Sequence, residues 1–220
     1  MADAPHIAGP SDFAKAFDVS RETIERLKLY ADLLLRWQKA VNLVAPGTLD
    51  DVWHRHIADS AQFVDLLPQG ATRQTDLGSG GGFPGLVIAI MRADQPLFRT
   101  TMVESDQRKS AFLREVARQT GIAVDIVNGR IENPETHAKV ASTDAVTARA
   151  LAPLGRLLEL SAPYYSVGTI GLFAKGREVD QELDDARRMC TFEHRLVPSV
   201  TQLGAYIVEI RGLCVRPNPV

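Results

Sequence analysis

The chain has 220 residues, of which 45% are hydrophobic and 24% are charged, and its formal net charge is −2. These values are typical of a soluble globular protein with one full core, and no apolar run reaches the ~20 residues of a membrane span. The weakly acidic balance does not indicate a nucleic-acid binder, so a polyanionic partner would require a local basic patch. The two cysteines, Cys190 and Cys214, are too few for a disulfide framework or a zinc site.

The N-terminal part predicts a tail followed by helices. Residues 1–11 are rich in Ala, Pro and Gly and predict a disordered tail. This stretch has no basic-then-apolar signal pattern, and we therefore expect a cytoplasmic protein. Ser20 is a suitable N-cap for a helix whose apolar residues recur at helical spacing. A second helix is expected from about residue 50 to Pro68.

Polar residues cluster at the start of this second helix. His56, Asp59 and Ser60 lie at i, i+3 and i+4 and share one face. A metal site would need a further set of ligands, which the sequence does not provide. We therefore predict no metal and favour either a hydrogen-bonded packing cluster or a substrate-facing surface.

The stretch from Thr75 to Gly85 reads T-D-L-G-S-G-G-G-F-P-G. A strand ends near Asp76, a glycine loop follows, and a helix begins near Pro84. Glycines permit positive φ and a close approach of the backbone to a ligand. This order of elements presents backbone N–H groups and a helix N-terminus to a nucleotide-like ligand.

Two ligands are compatible with the loop. Gly78, Gly80 and Gly82 form G-x-G-x-G after the acidic Asp76, which is the first motif of Rossmann-like methyltransferases that use S-adenosylmethionine (SAM). Gly80, Gly82 and Gly85 also fit the dinucleotide fingerprint G-x-G-x-x-G. We favour SAM because the preceding strand is polar, whereas dinucleotide-binding strands are usually apolar. The Asp76 carboxylate can also help to hold the methionine ammonium of SAM.

Strands and helices alternate from the loop onward. The first predicted strand ends at Asp76, and the others cover residues 98–104, 124–127, 145–150, 169–174, 192–197 and 206–211. This pattern predicts an α/β fold with a mostly parallel, doubly wound, seven-stranded sheet that binds its ligand at the carboxyl ends of the strands. We expect residues 12–70 to form a helical extension packed on a main domain of residues 71–220.

Candidate binding residues follow four of these strands. Glu104 can accept hydrogen bonds from ribose hydroxyls. The turn around Ile131 and Glu132 borders the adenine position, although a plain surface turn is an equal interpretation. Arg149 is a cation among small and apolar residues and needs an oxygen-rich partner. Lys175 ends the fifth strand. The cations that converge here predict a basic rim for a phosphate backbone: His54, Arg55, His56, Arg108, Lys109, Arg149, Lys175 and Arg177.

Several segments, in order, resemble the glucose-inhibited division protein B family, the ribosomal RNA small-subunit methyltransferases G. The matching pieces are Trp37 with Asn42-Leu43, Arg55-His56-Ile57-Ala58-Asp59-Ser60, Asp76 to Gly85, Glu104-Ser105 with Lys109 and Phe112-Leu113, Arg130-Ile131-Glu132, Ala148-Arg149-Ala150, and Lys175-Gly176. They cover about residues 25 to 180. The Arg-His-Ile-x-Asp-Ser block and the Phe-Pro-Gly ending of the loop are the specific parts.

The resemblance implies SAM-dependent methylation of guanine N7 in the decoding region of 16S rRNA, with naked rRNA or an assembling small subunit as partner. It implies that Gly78 and Phe83 line the SAM pocket, that Ile131 and Glu132 lie at the adenine, and that Glu104 takes the ribose. Arg149 would border the cofactor near its methyl end. His56 and Lys175 would face the RNA. We expect a monomer.

Guanine N7 carries a lone pair and no proton, so the implied reaction needs no general base. Arg149 and Lys175 are then candidates for positioning the base, and Trp53, Phe83 or Tyr164 for stacking on it. The alternatives are a SAM methyltransferase with another substrate, an NAD-dependent oxidoreductase on the same sheet, and a non-catalytic RNA-binding module.

Overall fold

The structure, a computed structural model, describes residues 6–216 and is built around a seven-stranded sheet. The strands are β1 (Arg73–Leu77), β2 (Arg99–Glu104), β3 (Val124–Asn128), β4 (Ala145–Arg149), β5 (Ile170–Lys175), β6 (Cys190–Pro198) and β7 (Tyr206–Val215). Their order across the sheet is β3-β2-β1-β4-β5-β7-β6. The first five strands are parallel, and β7 runs antiparallel to both β5 and β6. The predicted α/β fold and its seven strands are confirmed.

The strand order reverses at β1, which pairs with β2 on one side and with β4 on the other. At such a reversal the connections leave the sheet in opposite directions and open a crevice outside the carboxyl ends of the strands. The register brings Leu77 beside Val103 and Arg149 beside Ala174. The predicted site residues at the ends of β1, β2, β4 and β5 therefore share one edge of the sheet.

Helices cover both faces of the sheet. They are α1 (Pro10–Phe17), α2 (Arg21–Gln38), α3 (Asp59–Ala61), α4 (Gly85–Met91), α5 (Gln107–Thr120), α6 (Pro134–His137), α7 (Leu154–Ser161) and α8 (Val179–Met189). Successive β2 residues enter different cores: Met102 packs with apolar residues of α2, α4 and α5, and Val103 packs with those of α7 and α8. Among the described residues, no helix has both the length and the apolar character to cross a membrane.

The segment expected as a second regular helix is irregular. It consists of a 3-10 turn at Pro46–Asp51, a π-helical stretch at Trp53–Ala58, the short α3 and a second 3-10 turn at Val64–Leu66. Stretches of π-helix widen the turn and occur often at functional sites. Here the wide turn coincides with the residues whose side chains bond to distant parts of the chain.

The expected disordered tail covered residues 1–11, and residues 1–5 of it lie outside the described residues. From Ile7 onward the prediction is wrong. Ile7 is buried, and its N–H donates to Nδ1 of His54 at 3.2 Å. Pro10 opens α1, whose Phe13 is completely buried. The apolar contacts of two large side chains outweigh the chain entropy that the Ala, Pro and Gly composition suggested.

The N-cap of α2 contributes to the stability of the fold in a way that can be measured. The Ser20 hydroxyl accepts the N–H of Thr23 at 3.1 Å, as the sequence predicted for an N-cap. Replacing Ser20→Ala should lower the free energy of unfolding by about 1 kcal/mol, because a helix N–H loses its partner. Urea unfolding measures this change. Ser20→Thr keeps the acceptor oxygen and should stay near wild type; equal losses in both variants would contradict the capping role.

Candidate functional site at the carboxyl edge of the sheet

The glycine loop follows β1 and takes a backbone path that favours glycine. Gly78, Gly80 and Gly82 have φ values of +66°, +54° and +95°. A Cβ on Gly78 would lie 2.5 Å from Cδ1 of Leu151, and one on Gly82 would collide with Leu86. At Gly80 the nearest atom would be the Gly78 oxygen at 3.8 Å. Gly80 therefore presents bare backbone to open space.

The extension fixes the underside of this loop. The Tyr30 hydroxyl of α2 donates to the carbonyl oxygen of Gly81. Burial raises the pKa of Tyr30 well above its usual value, so the hydroxyl keeps its proton and remains a donor. The N–H groups of Gly78 and Ser79 both donate to the Val103 oxygen, at 2.9 and 3.2 Å. The loop is thus ordered from two sides.

Glu104 lies beside the loop at the end of β2, as predicted. Its Oε2 accepts the Gly80 N–H at 2.8 Å, and its Oε1 accepts the Asp106 N–H at 2.7 Å. A carboxylate offers about four acceptor positions, so each oxygen can still accept a hydroxyl. The geometry suits a pair of vicinal hydroxyls next to the glycine loop.

The Asp76 carboxylate does not face the cleft, where a contact with the cofactor was expected. It is completely buried under the loop, where its Oδ1 accepts the Thr147 hydroxyl at 2.7 Å. A Cβ on Gly85 would lie 2.8 Å from its Oδ2. Burial raises the pKa of Asp76 to about 6, against the lowering effect of the Thr147 hydroxyl. Asp76 therefore joins β1 to β4 and α4, and the expected contact with a methionine ammonium is wrong in this arrangement.

A cleft of about 750 Å³ opens next to the loop. Five parts of the chain surround it: the segment from Asn42 to Gln62, the glycine loop with Phe83, Lys109 on α5, the ends of β4 and β5, and the loop between β6 and β7. The residues that line it include Asn42, Thr48, Arg55, His56, Asp59, Gln62, Gly78, Gly80, Phe83, Lys109, Arg149, Lys175, Ser199, Thr201, Gln202, Ala205 and Tyr206.

Arg149 lies at the centre of this cleft. Its Nη1 donates to Oδ2 of Asp59 and to the Arg55 oxygen, both at 3.0 Å, and its Nη2 donates to Nδ1 of His56 at 2.7 Å. The guanidinium carbon also lies 4.9 Å from the centre of the Phe83 ring. The oxygen-rich partner predicted for this cation is therefore supplied by Asp59 and the Arg55 carbonyl. His56 and Asp59 form a hydrogen-bonded cluster with Arg149 and also line the cleft, so both interpretations of this face stay open; the buried Ser60 Oγ has no hydrogen-bond partner among the described residues.

His56 is held in one neutral form. Burial, together with the charges of Arg149 and Arg55, lowers its pKa to about 3. Because Arg149 can only donate, Nδ1 of His56 accepts, and Nε2 carries the proton. Nε2 then donates to the Thr48 hydroxyl at 2.7 Å, and that hydroxyl donates to the Ala45 oxygen at 2.7 Å. The ring stacks on Phe83 with its centre 4.9 Å away.

Asp59 connects the loop between β6 and β7 to the same centre. Its Oδ1 accepts the Thr201 hydroxyl at 2.7 Å and the Gln62 amide at 3.0 Å. His54 lies behind this contact: it accepts the Ile7 N–H through Nδ1, so its Nε2 donates to the Thr201 oxygen at 2.9 Å. His54 is therefore a buried structural residue and does not belong to the basic rim.

Lys175 lines the cleft, but its ammonium group is engaged elsewhere. Nζ lies 2.7 Å from Oε2 of Glu182 and donates to the Ala152 oxygen at 2.6 Å, and 7% of the side chain is exposed. The same Glu182 oxygen accepts the Leu154 N–H at 2.6 Å. In this structure an acidic residue of α8 pairs with Lys175 and joins β5 to the start of α7, and the expected RNA contact of Lys175 stays a prediction.

The remaining cations divide into two groups. Arg55 and Lys109 line the cleft and, within residues 6–216, make no ion pair. Arg108 lies 3.9 Å from Asp106 with 71% of its side chain exposed, and it does not line the cleft. Arg177 is exposed and packs against the loop between β6 and β7, 3.1 Å from the position of a Cβ on Gly204. The basic rim is therefore smaller than predicted.

Ile131 and Glu132 lie outside the cleft, beyond Glu104. Gly129, two residues before Ile131, donates its N–H to the Glu104 oxygen at 3.1 Å. Ile131 is buried, and its carbonyl oxygen accepts the Tyr164 hydroxyl at 2.9 Å. Glu132 is exposed. A ligand that reaches both the glycine loop and this turn must pass over Glu104.

The three aromatic residues named as candidates for stacking on the base lie in different places, and Phe83 is the one of them that lines the cleft. Tyr164 is buried on the far side of Ile131, and Trp53 packs on Phe13 at 5.8 Å. Phe83 lines the cleft beneath His56 and Arg149. Sequence reasoning missed Tyr206, the half-buried first residue of β7, which also lines the cleft. Its position depends on the antiparallel pairing of Tyr206 with Lys175, for which the sequence has no local signal.

Within the described part of the chain, no group of three or more His, Cys, Asp or Glu side chains could hold a metal ion.

Comparison with known proteins gives one consistent family. The family model described as GidB, rRNA small subunit methyltransferase G, matches residues 23–210. The protein named ribosomal RNA small subunit methyltransferase G of Parvibaculum lavamentivorans is 46% identical over 213 residues, which cover 97% of this chain and 93% of that protein. The protein of the same name from Methylobacterium nodulans is 51% identical over 196 residues, which cover 89% of this chain and 91% of that protein.

Solved structures with a similar fold are distant in sequence. The O-methyltransferase from Bacillus cereus in complex with SAH has a TM-score of 0.56 and 14% identity, and the match covers 83% of this chain and 90% of that one. The SAH-bound methyltransferase PaMTH1 from Podospora anserina has a TM-score of 0.55 and 14% identity, with 87% and 96% covered. At this identity the likeness concerns the fold alone.

The buried neutral His56 predicts a pH-dependent stability. In the unfolded chain His56 takes up a proton near pH 6.5, whereas in the folded protein it stays neutral down to about pH 3. The free energy of unfolding therefore decreases as the pH falls from about 6.5 to about 3. His56→Gln keeps an acceptor oxygen and does not titrate. Its stability deficit relative to wild type should shrink by about 2 kcal/mol between pH 7 and pH 5.

Urea unfolding of both proteins at several pH values measures this difference. Asp76 has the opposite effect, because its pKa is raised from 3.8 to about 6, but it is present in both proteins and cancels. A deficit that stays constant with pH would show that His56 is not held neutral.

Proposed function

Because the chain belongs to the rRNA small subunit methyltransferase G family, we propose that it transfers the methyl group of SAM to N7 of a guanine in 16S rRNA, in the decoding region. The observation that carries the proposal is that the glycine loop and the Arg149-centred cleft open side by side at the carboxyl edge of the sheet. The enzyme would act in the cytoplasm, as a monomer, on 16S rRNA or an assembling small subunit.

The residues present fit SAM. Gly78, Gly80 and Gly82 would hold the methionine part through backbone groups, with Phe83 beside them. Glu104 would accept the ribose hydroxyls. Ile131 and Glu132 would border the adenine. When bound, SAM supplies an electrophilic methyl group next to the cleft.

The residues of the cleft would position the base. Of the five N–H groups of Arg149, three are engaged with Asp59, His56 and the Arg55 oxygen, so two remain for guanine O6, the atom beside N7. N7 attacks with its own lone pair and loses no proton, so no side chain has to act as a base. Positioning of this kind can supply about 7–11 kcal/mol of the barrier in favourable cases.

The substrate side would combine charge with neutral contacts. Arg55 and Lys109 would contact phosphates, because both line the cleft without an acidic partner among residues 6–216. Neutral His56 would act on the RNA through Arg149, for which it is the acceptor. Lys175 would act indirectly by fixing the turn after β4.

The sheet argues against an oxidoreductase. Dinucleotide-binding sheets have the strand order 3-2-1-4-5-6, whereas an antiparallel β7 separates β5 from β6 here. A non-catalytic RNA-binding module would have no use for the open backbone at Gly80 beside the Glu104 carboxylate. A SAM methyltransferase with another substrate is tested by the transfer experiment below.

The cofactor assignment can be tested at Gly80. Gly80→Ala places a methyl group in the open space above the loop, at a positive φ that costs about 1–2 kcal/mol for a side chain. Gly121→Ala is the matched control, because Gly121 has φ +68°, has open space around it and ends α5 away from the loop. Calorimetric titration should show at least roughly tenfold weaker SAM binding for Gly80→Ala only. Equal affinity in the two variants would contradict the assignment.

The reaction itself is tested by methyl transfer from labelled SAM. Purified small subunits and naked 16S rRNA, both from a strain that lacks this methylation, are offered as substrates, and the product is mapped by cleavage at 7-methylguanine. We expect label at one guanine of the decoding region. Label in a different nucleotide, or none despite normal SAM binding, would contradict the substrate and leave the cofactor assignment intact.

A further inference from the structure

We propose that Leu203, at the tip of the loop between β6 and β7, is an apolar wedge that enters the RNA base stack next to the target guanine when that base turns into the cleft. This inference rests on the proposed function and adds a positioning residue to it. The partner is the base step that flanks the guanine.

The loop carries unusual apolar exposure for its position. Leu203 is 82% exposed and Val200 is 48% exposed, and both lie in residues 199–205. The same loop supplies part of the cleft wall through Ser199, Thr201, Gln202 and Ala205. Single exposed apolar residues are normal on protein surfaces; here two of them lie beside a cleft that has a glycine loop and cations on its other sides.

The other strongly exposed apolar residues lie at the opposite edge of the sheet. Leu97, 76% exposed, precedes β2, and Val167, which is fully exposed, precedes β5. Both strands run parallel with their carboxyl ends at the cleft. Val200 and Leu203 are therefore the large exposed apolar side chains, among the described residues, that lie between residues of the cleft wall, and Leu203 is the more exposed of the two.

The tip has a fixed position. Ser199 donates its N–H to the Ala205 oxygen at 2.9 Å, and Ala205 donates to the Gln202 oxygen at 3.1 Å, which closes the loop on itself. The Val200 N–H donates to Oε1 of Gln62 at 3.1 Å. A loop with backbone hydrogen bonds inside it and side-chain bonds at its base can present a side chain without paying a large ordering entropy on binding.

One carboxylate fixes the wedge relative to the guanidinium. Oδ1 of Asp59 accepts the Thr201 hydroxyl at 2.7 Å, two residues before Leu203, while Oδ2 pairs with Arg149 at 3.0 Å. The Asp59 carboxylate therefore holds the loop that carries Leu203 at a fixed position relative to the Arg149 guanidinium, the proposed donor to guanine O6. This arrangement suits a substrate in which one base enters the cleft and its neighbour remains outside.

Removal of a base from a stack leaves a gap and loses stacking contacts. Apolar side chains that enter base steps fill such gaps and are a common feature of proteins that distort nucleic acids. Arg177, which packs against Gly204, and the exposed Arg55 provide positive charge close to the loop for the flanking phosphates.

The test compares Leu203→Ala with Leu97→Ala, using whichever RNA substrate the wild-type enzyme methylates best. Both residues are exposed, so the melting temperature and SAM affinity should stay at wild-type values. We expect Leu203→Ala to lower kcat about tenfold or more, with KM for RNA changed less than about twofold, because turning the base out becomes harder. Leu203→Met, which keeps a large apolar side chain, should have most of the wild-type kcat, and Leu97→Ala should have the wild-type kcat and KM.

A second readout follows the base stack directly. The nucleotide next to the target guanine is replaced by fluorescent 2-aminopurine, and binding of the protein with sinefungin should change its emission in the wild type and in Leu97→Ala but not in Leu203→Ala. A wild-type kcat in Leu203→Ala, or a loss that appears only in KM, would overturn the wedge. Absence of methylation by the wild-type enzyme would instead contradict the proposed function.

Discussion

The hydrogen-bonded ion pair between Arg149 and Asp59 determines the shape of the cleft. Each partner is about four-fifths buried, and such charges are stable only when paired and hydrogen-bonded. Arg149 brings the end of β4 against His56 and Phe83, and Asp59 brings in the loop between β6 and β7 through Thr201. Loss of either charge would leave the other buried without a partner. The end of β4, residues 55–59, Phe83 and the loop between β6 and β7 should therefore respond to mutation as one unit.

This pair also affects the electrostatics of the proposed reaction. Methyl transfer from a sulfonium to guanine N7 moves positive charge onto the base, and an isolated cation at O6 would oppose that movement. Asp59 neutralises Arg149, and His56 remains uncharged, so the guanidinium can donate hydrogen bonds without adding net charge. The Asp76 carboxyl, with a pKa of about 6, lies below the glycine loop and away from the cleft.

The sequence predicted features with local signals and missed those that depend on distant contacts. Strand and helix periodicity, the cap at Ser20 and the position of Glu104 all follow from a few neighbouring residues. The partner of the 55–59 cluster could not be predicted, because Arg149 lies 90 residues from Asp59 in the chain. The pairing of Lys175 with Glu182 was missed for the same reason, because the sequence does not indicate which acidic residue of α8 reaches it.

Segments outside the parallel strands form most of the wall of the proposed substrate cleft. The sheet supplies the glycine loop and Glu104, which suit a cofactor common to many reactions. Tyr30 and the 42–62 segment order the loop from one side and form one wall, and the loop between β6 and β7 forms another. Selection of an RNA substrate would then depend on contacts made by these additions. The irregular 46–66 segment fits that role, because it directs His54 to Thr201 while His56 and Asp59 both reach Arg149.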